Sequence, residues 1–187
     1  MASIITATTT SGLTQSADNS GVLQLASGTG NLVTVPSVTG TAMVSGNMPA
    51  FRAGKNNATQ AISTATFTKV TFDTETFDTN NNFASSTFTP TVAGYYQLNA
   101  NALFNTITSG QIVIIAIYKN GAAYTRGSGG YLNNTSGDIE LIASTLAYAN
   151  GTTDYFDVYV YQNSGGNRDI YNSETLTSFS GCLVRAA

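Results

Sequence analysis

The sequence predicts an all-β protein, and three observations carry that prediction. Charged residues make up only 9% of the chain, against about 25% in an average soluble protein, so Thr, Ser, Asn and Gln must supply the polar surface. Thr favours strands, whereas Asn, Ser and Gly favour turns. No segment sustains the 3.6-residue apolar period of a helix. Short alternating segments between turn signals instead indicate a jelly roll or another β-sandwich.

The composition divides the chain near residue 46. Residues 1–47 contain no aromatic residue, whereas residues 48–187 hold all ten Tyr and all nine Phe. Aromatic side chains bury large areas and dominate cores. We therefore predict an N-terminal anchoring or assembly segment over residues 1–47 and a jelly-roll domain with its own core over residues 48–187.

The N-terminal segment carries two short β patterns, at residues 22–25 and 32–35, with a turn signal at residues 28–31. A lone hairpin is marginally stable in water. We therefore predict an extended or short-hairpin arm that pairs with copies of itself or anchors the chain to another protein. The predicted anchoring residues are Val22, Leu23, Leu25, Leu32, Val33 and Val35.

Strand patterns recur through the rest of the chain. They cover residues 65–72, 83–88, 94–104, 112–119, 122–125, 138–147, 155–161 and 177–184. Asn120-Gly121 is a strong hairpin signal, and residues 127–130 are predicted to form a surface loop. The apolar run over residues 112–118 is too short to span a membrane, which takes about 20 apolar residues in a helix. We interpret it as a buried strand and predict no membrane insertion.

The chain offers little catalytic chemistry. It has no His and one Cys, so the common general bases, the Ser-His-Asp triad and the usual zinc ligand sets are missing. A polysaccharide depolymerase would need paired acids at a suitable separation. The pairs Asp154 with Asp157 and Glu140 with Asp138 are no more than chance supplies. We predict a non-enzymatic protein with no cofactor. The apolar neighbours of Cys182 predict that it is a buried small hydrophobe.

One acidic cluster contains the calcium candidates Asp73, Glu75 and Asp78, because calcium prefers oxygen ligands. Asp73 and Glu75 share one strand face by alternation, and three carboxylates rarely suffice without a shaped loop. We therefore favour structural or solvent-facing roles for all three over a metal site.

Charge and targeting signals limit the partners. The net charge is −3 and the seven Lys and Arg are scattered singly, so the basic patch of a nucleic-acid binder is missing. The first residues lack the basic and long apolar regions of a signal peptide. We expect the chain to fold in the cytoplasm where it is made, and a single Cys suits a reducing compartment.

Four landmarks in chain order resemble the superfamily of complement C1q and tumour necrosis factor. They are Pro49-Ala50-Phe51, Phe88 followed by Gly94-Tyr95-Tyr96, Lys119-Asn120-Gly121, and Ser178 through Leu183. This resemblance covers about three quarters of the chain and implies a homotrimeric jelly roll. The collagen repeat that precedes the complement domain is missing, and residues 155–159 lack the Trp common in that family. Both departures argue against a complement-like function.

In this fold, aromatic and aliphatic side chains fill the sandwich or the threefold axis. The residues predicted to pack there are Phe51, Tyr95, Tyr96, Phe156, Tyr159, Phe179 and Leu183. A sugar-binding surface lined by tyrosines, among them Tyr155 and Tyr161, is the alternative that we favour less.

Residues 20–28 resemble segments of tailed-bacteriophage virion proteins, particularly fibres and head-surface proteins. Together the two resemblances imply a trimeric capsid decoration, cement or short head-fibre protein, made in the host cytoplasm and located on the virion. Its partners would be itself and other virion proteins, above all the major capsid protein. A tail-fibre tip that recognises host surface glycan or protein is the first alternative. A soluble secreted lectin-like module is the second.

Overall fold

Two antiparallel sheets make up the larger unit of the computed structural model, which describes residues 23–26, 32–35, 46, 48–130 and 136–187. The chain divides into a smaller unit, Met1–Gly40, and a larger one, Thr41–Ala187. Within the described ranges, no helix is long and apolar enough to cross a membrane.

The smaller unit contains one hairpin, formed by β1 (Leu23–Ala26) and β2 (Leu32–Val35). The antiparallel register places Leu23 opposite Val35 and Leu25 opposite Val33. The predicted hairpin pairing is therefore confirmed. The predicted turn at residues 28–31 and the anchoring residue Val22 lie outside the described residues.

The larger unit consists of short and long strands joined by turns. They are β3 (Ala50–Gly54), β4 (Gln60–Ile62), β5 (Thr68–Lys69), β6 (Thr74–Asp78), β7 (Phe83–Ala84), β8 (Thr87–Phe88), β9 (Gly94–Ile107), β10 (Val113–Lys119), β11 (Ala122–Gly130), β12 (Gly137–Ala149), β13 (Phe156–Gln162), β14 (Arg168–Ile170) and β15 (Ser178–Ala186).

The long strand β9 organises the seven-stranded sheet. β12 pairs with one edge of β9, and β15 and β14 pair with its other edge. The sheet continues from β15 through β3 to β6, and β4 pairs with β14. The six-stranded sheet runs β11-β10-β13-β8-β7, with β5 also paired to β13. The predicted all-β sandwich is confirmed.

The core lies between the inner faces of the two sheets, because alternate residues of each strand point inward. Tyr96, Leu98 and Phe104 of β9 face Val158 and Val160 of β13, and all five are fully buried. The core ends in an aromatic cluster centred on Phe51, whose ring lies 4.2 Å from Phe88 and 5.0 Å from Phe179.

The residues predicted to pack occupy three environments. Five belong to the core: Phe51, Tyr96, Phe156, Phe179 and Leu183. Tyr159 is half-buried on the outer face of the six-stranded sheet, where it stacks on Tyr118 at 4.1 Å. Tyr95 is 43% exposed, next to Tyr148 on the outer face of the seven-stranded sheet.

Four sequence interpretations are wrong. The strand predicted over residues 65–72 shortens to β5, and the strand predicted over residues 83–88 is the hairpin of β7 and β8, because Ser85 and Ser86 adopt positive φ at its turn. Cys182 is exposed rather than buried, because Gly181 and Leu183 point inward and the alternation of β15 turns Cys182 outward. Residues 127–130 belong to β11 rather than to a surface loop. A Cβ added to Gly127 would lie 2.4 Å from the Ile142 carbonyl oxygen, so this glycine permits close approach of β11 to β12.

Candidate interaction surfaces

The carboxylates of the acidic cluster serve separate local purposes. Asp73 accepts hydrogen bonds from the N–H groups of Asn56 (2.7 Å) and Asn57 (3.2 Å). Burial alone would raise the pKa of this carboxyl, but the two N–H groups and the Thr74 hydroxyl together hold it below its usual value. Asp73 therefore braces the loop that follows β3.

The other two members of the cluster do not join Asp73. Asp78 accepts hydrogen bonds from the N–H groups of Asn80 and Phe83, while Glu75 is exposed. Across the residues that the structure describes, no group of three or more His, Cys, Asp or Glu side chains could hold a metal ion. Asp73 and Asp78 thus brace separate loops, whereas Glu75 faces solvent.

The acid pair at residues 154 and 157 is also engaged in structural contacts. Asp154 accepts hydrogen bonds from Asn120 and Asn150 and lies 2.9 Å from the Lys119 ammonium. The Asn120 hydrogen bond lowers the pKa of Asp154, partial burial opposes it, and Lys119 lowers it further. This contact ties the turn before β13 to the hairpin at Asn120-Gly121. Both of those residues adopt positive φ, as a type I′ turn requires.

An exposed apolar band crosses the outer face of the seven-stranded sheet. Its members are Tyr95, Ile142, Leu146, Tyr148 and Val184. Leu146 is 53% exposed and Ile142 is 59% exposed, while their chain neighbours Ala143 and Ala147 face the core. Tyr95 and Tyr148 are paired in register across β9 and β12, and their rings are 5.5 Å apart.

Uncharged polar side chains fill the space along the apolar band. Ser144 accepts a hydrogen bond from Gln97 (2.9 Å) and donates one to Asn99 (2.8 Å). Ser178 donates to Asn101 (2.5 Å) in the next row. Both amides belong to the outward positions of β9. The face therefore combines apolar side chains with uncharged hydrogen-bonding groups, and such groups cost less to desolvate than charges.

The tyrosines proposed to line a single surface lie in different places. Tyr96 is in the core, Tyr95 lies on the apolar band, and Tyr159 and Tyr161 point out of the six-stranded sheet. On that second face, Phe67 and Tyr118 join them. Sequence reasoning missed these two residues. Alternation along β10 could have placed Tyr118 on the outer face, because Ile115 and Ile117 face the core. Phe67 comes from a connecting segment, so no strand pattern marks it.

Many solved structures are similar to this chain, and three of them represent the range. The first is Eiger TNF from S. frugiperda, with a TM-score of 0.59 and 8% identity over 75% of this chain and 95% of that one. The second is murine APRIL at pH 5.0, with a TM-score of 0.55 and 12% identity over 73% and 99%. The third is the globular domain of zebrafish complement 1qA, with a TM-score of 0.50 and 17% identity over 74% and 99%.

Sequence comparisons give no such match. No family model matches the chain, and no curated protein matches it. At 8–17% identity, the structural likeness concerns the fold alone. It confirms the predicted jelly-roll fold, shared with the TNF and complement 1q structures.

Proposed function

We propose that this chain is a non-enzymatic, self-associating structural or binding protein whose subunits meet as a homotrimer through the apolar band. The band itself carries this proposal. Five large apolar side chains are exposed together on one sheet face, and contiguous apolar patches on soluble proteins mark interaction sites.

A second and a third copy of the chain suit the apolar band better than a charged partner. The side chains between its apolar members are the neutral Gln97, Asn99 and Ser144. The exposed Arg185, opposite Tyr95, lies at the edge of the band, so burial of the band's centre leaves this charge at the rim. The resemblance to trimeric jelly rolls supports three copies rather than two.

The proposed setting is the surface of a tailed-phage virion, where the trimer decorates or cements the capsid. The observations that support this setting are the phage-like residues 20–28 and the hairpin of β1 and β2, which would anchor the trimer to the major capsid protein. The chain contains only 9% charged residues, and a surface with few charges suits burial in a permanent assembly.

A tail-fibre tip that recognises a host glycan is the second candidate. The cluster of aromatic side chains on the outer face of the six-stranded sheet favours it. A secreted lectin-like module shares this feature, and it would occur free of particles.

Light scattering during size-exclusion chromatography tests self-association. We expect a mass of three times 19.5 kDa that persists on dilution to low micromolar concentration. A monomer at all concentrations would overturn the proposal that the apolar band is a subunit interface.

Immunogold labelling of particles with an antibody to residues 48–187 tests the setting. Label over the heads supports the decoration role, and label at the tail end supports the fibre tip. Protein found only free in the medium would contradict both and support the secreted module.

A further inference from the structure

Four aromatic rings form a continuous strip on the outer face of the six-stranded sheet. Tyr159 stacks on Tyr118 at 4.1 Å, and Phe67 lies 6.1 Å from Tyr118 and 5.1 Å from Tyr161. We call these four residues the aromatic strip. Phe67 is 39% exposed and the three tyrosines are half-buried, so the strip presents a shallow surface rather than a protruding anchor.

The base of the strip is apolar. Ile114 and Ala116 are buried, yet neither belongs to the central core. They lie in register beside Tyr161 and Tyr159 on the outward face of β10. A small side chain at Ala116 leaves the stacked rings of Tyr118 and Tyr159 room to lie against the sheet. Stacking and partial burial restrict the rings before any ligand binds, which lowers the entropy cost of binding.

The hydroxyl groups of the strip are available to a ligand. Those of Tyr118, Tyr159 and Tyr161 make no hydrogen bond to any of the described residues. Among the described residues, every buried side-chain nitrogen or oxygen has a hydrogen-bond partner. The three hydroxyls have none, so they lie at the solvent boundary. Aromatic faces with free hydroxyls combine apolar contact with hydrogen bonding, which makes tyrosine common at recognition surfaces.

Charged groups flank the strip in one row across four strands. Arg126 of β11 is opposite Ala116, Ala116 is opposite Tyr159, and Tyr159 is opposite Lys69 of β5. Lys69 lies 2.7 Å from Asp157, which also accepts a hydrogen bond from Thr87. The exposed Arg126 forms no ion pair within the described part of the chain. Two cations and one carboxylate thus surround the strip, although the whole chain carries −3.

We propose that the aromatic strip binds an acidic polysaccharide, with sugar rings over the aromatic faces and a sugar carboxylate beside Arg126. The C–H face of a pyranose is apolar and flat, so it matches a row of exposed rings. The tyrosine hydroxyls and the Lys69–Asp157 pair can exchange hydrogen bonds with sugar hydroxyls. The excess positive charge complements a carboxylate.

Other occupants fit less well. A second copy of the chain would bind at the larger apolar band of the other sheet instead. A protein partner prefers deep pockets for its aromatic anchors, and the aromatic strip is shallow. The inference deepens the second candidate function, glycan recognition, and it requires neither a trimer nor a virion.

The test is affinity electrophoresis of the full chain in gels containing alginate, polygalacturonate or hyaluronate, with dextran as the neutral polymer. We expect retardation by at least one of the three acidic polymers, weaker retardation at 150 mM salt than at 20 mM, and little by dextran. Retardation by none of the acidic polymers overturns the proposal. Equal retardation by dextran overturns the role of Arg126.

Matched variants locate the site. Arg126→Gln and Phe67→Ser are each expected to weaken binding about tenfold, because each removes one contact worth about 1.4 kcal/mol. The charge control is Arg185→Gln and the aromatic control is Phe77→Ser, both exposed residues of the other sheet. If a control weakens binding as much as its partner variant, the site is not the aromatic strip. A change of molecular mass in the strip variants would indicate a subunit interface there and would also contradict the proposal.

Discussion

The two outer faces of the sandwich differ although the same alternation builds both. Along the apolar band of the seven-stranded sheet, large aliphatic and aromatic side chains alternate with neutral amides and hydroxyls. On the six-stranded sheet, they are stacked aromatic rings beside a paired lysine and aspartate. The first face suits permanent burial against copies of itself. The second stays polar enough to remain in water and meet a ligand.

This difference teaches that the fold leaves the outward residues free to specialise. Inward residues must fill one shared core, so their sizes are coupled across the sandwich. Outward residues have no such partner inside the subunit. One face can therefore be committed to assembly while the other is used for recognition.

We expect the largest effect from a substitution in the apolar band, which tests whether this face alone is the subunit interface. Leu146→Arg should convert the proposed trimer into a monomer, because a buried unpaired charge costs about 3–5 kcal/mol. Light scattering would report the mass. Ile112→Arg is the control, since Ile112 is an exposed apolar residue that precedes β10 of the other sheet. A trimer that survives Leu146→Arg would remove the apolar band as the interface.

A second prediction compares a tyrosine of the core with one of the aromatic strip. Burial raises the pKa of Tyr96 to about 12, and its hydroxyl donates to the Val92 carbonyl. In the unfolded chain this phenol ionises near pH 10. The folding stability that the protonated Tyr96 hydroxyl contributes is therefore fully present below pH 10 and is lost as the pH rises to 12. A tenfold change in an acid constant is worth about 1.4 kcal/mol, so the loss should be about 3 kcal/mol.

Urea unfolding between pH 9 and pH 12 measures this loss. Tyr96→Phe should flatten the pH dependence far more than Tyr159→Phe. Burial, with Asp157 and neighbouring tyrosines, also raises the pKa of Tyr159, but this residue is only half-buried. Equal flattening by the two variants would show that the strip is as closed to water as the core.

The third prediction concerns the contact between the two sheets. Gly127→Ala places a methyl group 2.5 Å from the Ala143 Cβ and against the Ile142 carbonyl, so β11 and β12 must separate. Such overpacking typically costs about 1–3 kcal/mol, measurable as a lower urea midpoint. Gly166→Ala should change stability little, because its added methyl group has no neighbour within 4 Å. Similar midpoints for the two variants would contradict the close approach.

We expect the smallest change in stability from Asp154, which contacts the hairpin at Asn120-Gly121. Asp154→Asn should cost about 1–2 kcal/mol at pH 7, since it weakens hydrogen bonds to a charged group. The pKa of Asp154 is lowered, so its stabilisation is present above the unfolded value near pH 4 and lost as the pH falls further. The variant should therefore lose less stability than the wild type in acid. The exposed Asp169 provides the control, as Asp169→Asn, and equal acid profiles would contradict the role of Asp154.

Sequence patterns predicted most strands because each depends on local alternation and turn chemistry. The hairpin at Asn120-Gly121 and the strand over residues 112–119 are examples that the structure reproduces to within one residue. Cys182 shows where the reasoning failed. Its apolar neighbours suggested burial, but strand parity turned it outward. The loop predicted at residues 127–130 failed because glycine can signal close packing as well as a turn.

The sequence by itself determined the fold class, the strand patterns and the scarcity of catalytic groups, because these depend on composition and on periods of a few residues. Only the tertiary structure decided which outward residues share a face. Phe67 lies in a connecting segment, yet its ring packs near those of Tyr118 and Tyr161. Arg126 and Lys69 lie in one row because β11 pairs with β10, β10 with β13, and β13 with β5. Such neighbours are distant in the chain, and only the pairing of strands brings them together.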